Sequence, residues 1–340
     1  MSRNSHSRFP ARIESRVSRF IEEHHLLGAG EKVLVAISGG ADSTALLLIL
    51  ERLLKKKAIA IVAAHFDHRL RGPVEGEADL AFVQGLIGDL GVDCVTGGGE
   101  VRQHARRKKI SLEDAARSLR YQFLASEASR LGAGVVATGH TKDDQAETVL
   151  LHILRGSGVD GLRGMRPRSS WPLGPGPQLI RPLLILSREE TRRYCGDRGI
   201  VPREDYTNLL LEATRNRIRH QALPLLKEFN PRLTDALQRL ADAAALDSEY
   251  LNTLAEAHWG ELARIEKRAV VLDRKVFQGL PPALGLRLLR KAVEAFMEHP
   301  PQLEAVHLHA VLAALSKERS RVSLPLDLEL EITARHLRLR

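Results

Sequence analysis

The chain has 340 residues, which is enough for two or three domains with a large buried core. Its 51 Lys and Arg exceed its 42 Asp and Glu, and the net charge of +9 favours a polyanionic partner. The sequence has no apolar run of about eighteen residues that would span a membrane. Its two cysteines, Cys94 and Cys195, form no C-x-x-C motif, which disfavours a disulfide framework or zinc knuckle and indicates a reducing cytoplasm.

The first twenty residues are rich in Ser and Arg and poor in acids, as mitochondrial targeting peptides are. However, Ile13, Val17, Phe20 and Ile21 recur at helical spacing. We therefore expect an amphipathic first helix that packs on the folded body, with a transit peptide as the alternative.

Strand-like and helix-like segments then alternate along the chain. Apolar runs predict strands at 33–38, 59–65, 92–96 and 135–138, and helical patterns predict helices at 43–56, 76–90, 111–131 and 143–154. Strands that are apolar on both faces and separated by helices are typical of a parallel sheet covered on both sides. The sequence therefore predicts a doubly wound α/β fold.

The second half of the chain changes character. Residues 155–178 are rich in Gly, Pro, Ser and Arg and predict a long loop, which is functional or disordered in most compact domains. A short strand at 179–184 and a helix at 188–199 follow. Beyond Asn230-Pro231 the pattern is mostly helical and ends in an alternating segment that predicts a short β hairpin. We expect an α/β domain over 1–220 and a smaller, mainly helical domain over 221–340.

Residues 38–43, Ser-Gly-Gly-Ala-Asp-Ser, lie between the first two predicted α/β elements. The glycine pair opens backbone N–H groups to an anion, and the helix that follows adds its positive end. A tight turn that needs glycine for steric reasons alone is the alternative. The loop lacks the Lys-Ser/Thr of a Walker motif. It has Asp42 instead, and a carboxylate beside phosphates indicates bridging by Mg²⁺.

A second cluster follows the predicted strand at 135–138. His140 stands at its carboxyl end, where open α/β sheets keep their sites. Asp143, Asp144 and Glu147 begin the next helix, and their spacing puts Glu147 on the same side as both aspartates. Acids also stabilise a helix N-terminus without any further role. Three carboxylates beside a histidine and a glycine-rich loop nevertheless indicate a site, and they suit a cationic substrate.

The hexapeptide at 38–43 matches S-G-G-x-D-S, the pyrophosphate loop of the N-type ATP pyrophosphatases. With four further segments, in the same order, it resembles the tRNA(Ile)-lysidine synthetase family. These segments are HFDHRLR (65–71), SLEDAARSLRYQFL (111–124), residues 140–165 and TNLLLEATRNRIRHQALP (207–224). The helical region resembles the family's second domain more weakly. Many members carry a further C-terminal domain, so the chain resembles the short form.

The resemblance implies a two-step ligation that uses ATP and Mg²⁺. ATP adenylates the C2 oxygen of the wobble cytidine in an isoleucine tRNA with a CAU anticodon, and pyrophosphate is released. The ε-amine of free L-lysine then attacks C2 and expels AMP. The resulting lysidine pairs with A instead of G and changes the charging identity of the tRNA. Family members also suggest a homodimer.

The resemblance assigns roles to individual residues as well. The loop would hold ATP and its pyrophosphate through Ser38, Gly39, Gly40, Ala41, Asp42 and Ser43. The catalytic candidates are Asp42, Arg120, His140 and Asp144, with Asp42 also the candidate for Mg²⁺ and the pair Asp144 and Glu147 for lysine. The loop or tRNA-facing candidates are His68, Arg71, Arg155, Asn216 and Arg217. A helix-bracing Arg120 and a structural His140 are the alternatives.

Basic residues form two clusters along the chain. The segment Arg102–Lys109 has five cations in eight residues, and Arg215, Arg217 and Arg219 form a second group. Such runs are often solvated faces, yet a protein of charge +9 that acts on tRNA needs phosphate contacts. With 4% aromatic residues, backbone contacts and one flipped cytidine fit better than a broad stacking platform. We expect the helical domain to grip the tRNA stem.

Three alternative functions can be compared with the sequence. A tRNA cytidine thiolase would need cysteine pairs for sulfur transfer or an iron–sulfur cluster, and two distant cysteines do not supply them. Small-molecule amidating enzymes of NAD or GMP synthesis would explain the basic balance less well. A catalytically inactive RNA-binding adaptor would have no need of the acid cluster.

Overall fold

The computed structural model describes residues 8–55, 57–70, 72–203, 214–267, 269–297, 303 and 305–340. The chain forms two compact units. The first consists of Met1–Leu151 and Met165–Gln238, and the second of His152–Gly164 and Arg239–Arg340. None of the helices in these ranges has the length and apolar character that a membrane span requires.

The helices and strands alternate over the first two hundred residues, as predicted. The strands are β1 (Lys32–Ile37), β2 (Ala60–Asp67), β3 (Asp93–Gly98), β4 (Val135–Ala137), β5 (Arg168–Ser169), β6 (Gln178–Ile180), β7 (Ala263–Glu266), β8 (Ala269–Asp273), β9 (Ser320–Ser323), β10 (Glu329–Ile332) and β11 (His336–Leu339). The helices are α1 (Arg8–Glu23), α2 (Ala41–Lys55), α3 (Pro73–Leu90), α4 (Val101–Lys108), α5 (Leu112–Leu131), α6 (Lys142–Leu154), α7 (Val159–Leu162), α8 (Arg188–Asp197), α9 (Thr214–Arg217), α10 (Leu223–Phe229), α11 (Leu233–Leu262), α12 (Arg274–Gln278), α13 (Pro282–Phe296) and α14 (Ala305–Ala314). A π-helical turn, Ile218–Ala222, joins α9 to α10.

The first unit contains a six-stranded sheet in the order β3-β2-β1-β4-β6-β5. Neighbouring strands are parallel except β5, which runs antiparallel to β6. The prediction of a doubly wound, mostly parallel α/β fold is therefore confirmed. Because the chain moves outward from β1 in both directions, a crevice opens at the carboxyl ends of β1 and β4, where such sheets bind ligands.

Side chains of β1 alternate between two apolar clusters, so both faces of the sheet are covered. Val33 and Val35 lie in a cluster with α1 and α2, whereas Leu34 lies in the cluster that includes Tyr121 and Leu124 of α5. Helix α1 buries the apolar stripe predicted from its spacing, in the first of these clusters. The expectation of an amphipathic first helix is confirmed.

The second unit combines helices with a five-stranded antiparallel sheet in the order β7-β8-β11-β10-β9. Strands β10 and β11 pair in the alternating C-terminal segment. The sequence analysis did not predict β7 and β8, because these short strands follow a long Ala/Leu-rich helix and only Ala269–Leu272 is strongly apolar. The core packs Leu272 and Leu337 of the sheet against Leu288 of α13.

The segment 155–164, predicted as loop, contains α7 and belongs to the second unit. Asp160 accounts for this assignment. Its carboxylate accepts hydrogen bonds from the guanidinium groups of Arg287 (2.6 Å) and Arg290 and from the hydroxyl of Ser248 (2.7 Å). These charge-assisted contacts tie the segment to α11 and α13 of the same unit.

Candidate active site

The loop between β1 and α2 is held in shape by its own serines. The Ser38 backbone N–H donates to the Ser43 hydroxyl oxygen at 3.1 Å, and that hydroxyl donates to the Gly40 carbonyl at 3.1 Å. Gly39 has a φ of +88°, in the left-handed region that favours glycine. The first amides of α2 have no acceptor within the helix and lie beside this loop, so an anion can bind there.

A second glycine allows the loop after β4 to touch the start of α2. A Cβ atom added to Gly139 would lie 2.9 Å from the carbonyl carbon of Asp42 and 3.0 Å from the backbone nitrogen of Ser43. Real side chains do not approach backbone so closely, so only glycine fits. The segment that carries His140 is thereby brought directly against the phosphate-binding loop.

Replacing Gly139 by Ala should lower activity, because either the loop or the start of α2 must shift. We expect a loss of about 10²-fold in kcat/KM, the typical effect of displacing reacting groups by about 1 Å. The matched control is Gly134→Ala, where nothing lies within 4 Å of the added Cβ. Steady-state release of AMP measures both variants. Equal activity of the two would contradict the close approach as a requirement.

Two buried carboxylates begin α6. Asp144 is capped by Thr141, whose backbone N–H and hydroxyl donate to its Oδ2 at 2.8 and 2.9 Å. Glu147, one turn later, is 0% exposed. Buried carboxylates are stable only with partners, and the partners here are arginines.

Arg188, the first residue of α8, contacts all three acids of the site. Its Nη1 donates to Glu147 Oε1 at 2.7 Å, its Nη2 donates to Asp144, and its Nε lies 3.6 Å from Asp42 Oδ2. Helix α8 begins with a capping box formed by Ser187 and Glu190, which fixes the position of Arg188 at the sheet edge.

Arg215 and Arg219 complete the cluster. They lie four residues apart, Arg215 on α9 and Arg219 on the π-helical turn that follows it. Arg219 Nε donates to Glu147 Oε1 at 2.7 Å and Arg215 Nε donates to Glu147 Oε2 at 3.1 Å. The sequence led us to expect an acid cluster that suits a cationic ligand. In this structure the chain's own guanidinium groups, three against Asp42, Asp144 and Glu147, occupy it.

The three acids differ in their pKa values. Burial raises the pKa of Asp42 to about 6, although the Thr191 hydroxyl and Arg188 partly oppose the effect. Burial also acts to raise the pKa of Asp144 and of Glu147. For both, the arginine contacts outweigh burial and hold the pKa below its usual range. Asp42 is therefore the carboxylate that would gain most from a bound cation.

His140 and Arg120 face the same crevice. Burial, reinforced by Arg181 and Arg120, lowers the pKa of His140 to about 3, although Asp144 opposes the shift, so its imidazole is neutral. Its Nδ1 lies 2.9 Å from the Thr138 hydroxyl. Burial also lowers the pKa of Arg120, which forms no ion pair with a carboxylate in the described ranges. An unpaired guanidinium in a crevice is well suited to a phosphate.

Most of these groups line one cavity of about 1020 Å³ in the first unit, although Glu147 and Arg215 are not part of its wall. Its wall includes the loop after β1, Phe66 and His68 at the end of β2, Arg120 of α5, Thr138 to His140, Asp144, and Arg188, Arg192 and Arg219. The volume is in the upper range of ligand pockets. In the parts of the chain with described coordinates, no group of three His, Cys, Asp or Glu side chains forms a ready metal site.

The remaining predicted site residues are placed as follows. His68 lines the cavity, and Arg71 lies outside the described residues. Asn216 is half-buried and Arg217 is exposed on α9, while Arg155 is exposed and belongs to the second unit. Sequence reasoning missed Gly139, Arg188 and Thr191. The Ser-x-x-Glu capping pattern at 187–190 was the one signal for Arg188, since it marks a helix that begins beside a sheet edge.

Comparisons with known proteins agree with this geometry. Residues 10–226 match the model of the PP-loop domain family. The tRNA(Ile)-lysidine synthase of Dehalococcoides mccartyi is 37% identical over 327 residues, which cover 95% of this chain and 69% of that protein. The chain belongs to the tRNA(Ile)-lysidine synthase family. The family predicted from the motifs is confirmed, and with its ATP-binding PP-loop domain the chain is an ATP-dependent ligase.

Other members of the tRNA(Ile)-lysidine synthase family are similar to a comparable degree. The enzyme of Geobacillus kaustophilus is 36% identical over 92% of this chain and 66% of its own length, and that of Geobacter sulfurreducens is 35% identical over 94% and 67%. The chain thus spans about two thirds of the length of these relatives. The U34-tRNA thiolase NcsA of Methanococcus maripaludis, with its 4Fe-4S cluster, has a TM-score of 0.57 at 16% identity over 69% of this chain and 79% of that one. That likeness shows a shared fold.

Proposed function

We propose that the chain joins free L-lysine to C2 of the wobble cytidine in an isoleucine tRNA with a CAU anticodon. ATP is consumed, AMP and pyrophosphate are released, and an adenylated cytidine is the intermediate. The observation that carries this proposal is the arrangement of one cavity. Its wall contains the pyrophosphate loop, Asp42 and Asp144 of the acid cluster, and Arg120, which has no carboxylate partner among the described residues, in a chain of the tRNA(Ile)-lysidine synthase family.

Different residues around the loop would contact different phosphate groups of ATP. The amides at 39–43 and the two serine hydroxyls would hold the pyrophosphate. Arg120 would stabilise charge that develops on the α-phosphate. Asp42 fits a magnesium ion, because Mg²⁺ prefers one or two carboxylates together with phosphate oxygens and this carboxylate is otherwise poorly compensated. The ion would neutralise phosphate charge.

His140 has two candidate roles, and its environment favours one of them. A neutral imidazole with a pKa near 3 is a weak base at neutral pH, so it is poorly suited to remove a proton. It can still donate or accept a hydrogen bond. The Thr138 hydroxyl holds its Nδ1 and leaves Nε2 for the ligand. We therefore assign His140 to the orientation of a phosphate or of the cytidine.

Lysine would bind at Asp144 and Glu147. Both carboxylates are ionised and can pair with an ammonium group, but arginines hold them in this structure. The lysine ε-amine must therefore displace a guanidinium contact. We expect the contacts of Arg215 and Arg219 to give way, since Arg215 lies on the four-residue helix α9 and Arg219 on the π-helical turn that follows it. Arg188 is anchored by the α8 capping box and would stay in place.

The proposal extends to the tRNA. The second unit would grip its stem, and one cytidine would leave the anticodon loop to enter the cavity of the first unit. The cytoplasmic location and the homodimer stay predictions.

The decisive experiment incubates the purified chain with ATP, Mg²⁺ and labelled lysine, together with one of two tRNAs. We expect label in the isoleucine tRNA with a CAU anticodon and none in elongator methionine tRNA. Label in neither RNA would remove the proposed reaction. Label in both would remove the proposed selectivity.

Asp144→Asn should raise the KM for lysine by about 10-fold or more, because one of two ammonium-binding charges is lost. The tRNA KM should stay unchanged. Asp143→Asn is the control on the same turn. Its Oδ2 accepts a backbone N–H from Arg188 at 2.9 Å, which an amide oxygen can also accept, and its Oδ1 lies 3.9 Å from Lys227 Nζ in a partly exposed pair. Unaltered lysine kinetics in Asp144→Asn would argue against the lysine site.

A sulfur-transfer function is the second candidate because of the thiolase fold neighbour. The chain has two cysteines, and Cys195 is buried in α8 with its thiol 3.5 Å from the Ala41 carbonyl. Burial raises the pKa of Cys195 to about 12, so its thiolate is disfavoured at neutral pH. Two cysteines are also fewer than the ligands of a cysteine-held iron–sulfur cluster. Ligation is therefore the better-supported function.

A further inference from the structure

A basic hollow lies on the surface of the first unit, apart from the lining of the proposed active site. It is an open cavity of about 300 Å³, lined by Arg102, Ala105, Arg106, Ile110 and Leu112. Arg102 and Arg106 lie one helical turn apart on the same face of α4. Ile110 and Leu112, between α4 and α5, are each 39% exposed and form an apolar floor.

The two arginines have no ion-pair partner among the described residues. Among the neighbouring carboxylates along the chain, Glu100 accepts from Arg69 at 2.8 Å and Asp114 accepts from the Ser111 hydroxyl at 2.7 Å. Glu113 is exposed and forms no ion pair with either arginine. Lys108 and Lys109 next to them are also exposed and without a carboxylate partner there. The hollow therefore presents uncompensated positive charge around an apolar surface.

The hollow lies at the same edge of the sheet as the proposed active site. Strand β3, which leads into α4, is parallel to β2, so their carboxyl ends meet at one edge. The Gly99 N–H donates to the Asp67 carbonyl at 3.0 Å, and Phe66 and His68, next to Asp67, line the large cavity. The start of α4 thus contacts the segment that forms the cavity wall.

We propose that the basic hollow binds an unpaired nucleotide of the RNA substrate, close to the base that enters the active site. Arg102 and Arg106 contact its phosphates, and the base rests on Ile110 and Leu112. Unpaired RNA is recognised in this way, by cations on its backbone and by apolar or guanidinium surfaces on its bases. The volume suits one nucleotide, at the lower limit of ligand pockets. This inference rests on the proposed function, which supplies the RNA.

The test measures tRNA affinity of Arg102→Ala/Arg106→Ala against salt concentration. Loss of two single-strand phosphate contacts should make the slope of log K against log salt shallower by about 1.4. Affinity at 0.1 M salt should fall about 25-fold, since that slope difference applies over one decade up to 1 M. Arg102→Lys/Arg106→Lys keeps the charges and should restore the slope but only part of the affinity, because lysine lacks the bidentate contact that a guanidinium makes with a phosphate.

The matched control is Arg8→Ala/Arg19→Ala, which removes the same charge from exposed positions of α1. Helix α1 contacts the far end of α2 through Glu14 with Arg52 and the turn that follows it through Glu22 with Lys57, and neither Arg8 nor Arg19 lines the hollow or the large cavity. The control should bind tRNA and form lysidine as the unmodified chain does. Folding of all variants is checked by their unfolding midpoints, which should be unchanged.

The outcomes separate this inference from the proposed function. Lysidine formation together with wild-type affinity and slope in Arg102→Ala/Arg106→Ala would overturn the hollow as an RNA site and leave the ligation intact. Absence of lysidine formation by the unmodified chain, together with a selective loss of RNA affinity in Arg102→Ala/Arg106→Ala, would overturn the reaction but support the hollow. Equal losses in the α4 and α1 variants would mean that net charge alone is responsible, and would overturn the inference.

Discussion

Asp42→Asn should abolish lysidine formation while leaving the chain folded and its tRNA affinity nearly unchanged. We expect a loss of about 10³-fold or more, because the variant lacks the charge that would hold Mg²⁺ beside the phosphates, a contribution of several kcal/mol. The geometry should survive: Thr191 can still donate to the amide oxygen, and Arg188 keeps Asp144 and Glu147. Lysidine formation and tRNA binding are measured on the same preparation. Lost RNA binding would show that Asp42 is structural.

The same variant should be more stable than the unmodified chain at neutral pH. Burial raises the folded-state pKa of Asp42 from 3.8 to about 6, so its protonated form fits the free structure better. The stability from this group is fully present below pH 3.8 and is lost as pH rises through about 6. At pH 7.5 the ionised carboxylate costs about 3 kcal/mol, of which asparagine should recover about 1–3.

Urea unfolding without Mg²⁺ and nucleotide checks this sign. The free-energy difference between Asp42→Asn and the unmodified chain should be largest above pH 7 and should vanish towards pH 3.8. A variant less stable at pH 7.5 would mean that the carboxylate is compensated in the free protein. An acid kept at a cost to stability is typical of a functional group.

Local sequence patterns were sufficient to predict the parallel sheet and the phosphate-binding loop. Strand β1 has apolar residues on both faces, and the two glycines and two serines of the loop fall within the six residues 38–43, so each feature lies within a short segment. The alternating apolar runs predicted β1 to β4 to within a few residues. The resemblance to the family then assigned the acids of α6 to the site.

Local patterns could not predict which arginines pair with the acids of α6. Arg188 is separated by 41 positions from Glu147, and Arg219 by 72. Neither pairing has a local signature, because the contacts form only when β6 lies beside β4 and the α9 turn folds back. Gly139 is similar, since its requirement comes from the backbone of Asp42 almost a hundred residues earlier. Strands β7 and β8 were missed for a different reason, because they follow a long Ala/Leu-rich helix and only residues 269–272 are strongly apolar.

Glu147→Gln should produce the largest loss of stability among single changes at the site. Glu147 is fully buried and contacts Arg188, Arg215 and Arg219, so its neutral replacement leaves excess positive charge in the interior. Removing one partner of a buried ion pair typically costs about 3–5 kcal/mol. The matched control is Glu22→Gln, which breaks an exposed pair with Lys57 and should leave stability almost unchanged, because solvent screens such pairs.

Two measurements separate charge imbalance from lost packing in Glu147→Gln. First, Glu147→Gln/Arg215→Met should be more stable than Glu147→Gln alone, because one uncompensated guanidinium is gone; additive losses would contradict this. The second measurement is the pH dependence of stability. The arginines outweigh burial and hold the pKa of Glu147 below 4.5 in the folded chain.

The stability that the charge of Glu147 contributes is therefore present above pH 4.5 and is lost as pH falls through the folded-state pKa. The difference between Glu147→Gln and the unmodified chain should accordingly shrink in acid, whereas a packing defect would persist at every pH. Since the proposed lysine site uses this same charge, the variant restabilised by Arg215→Met should still fail to saturate with lysine.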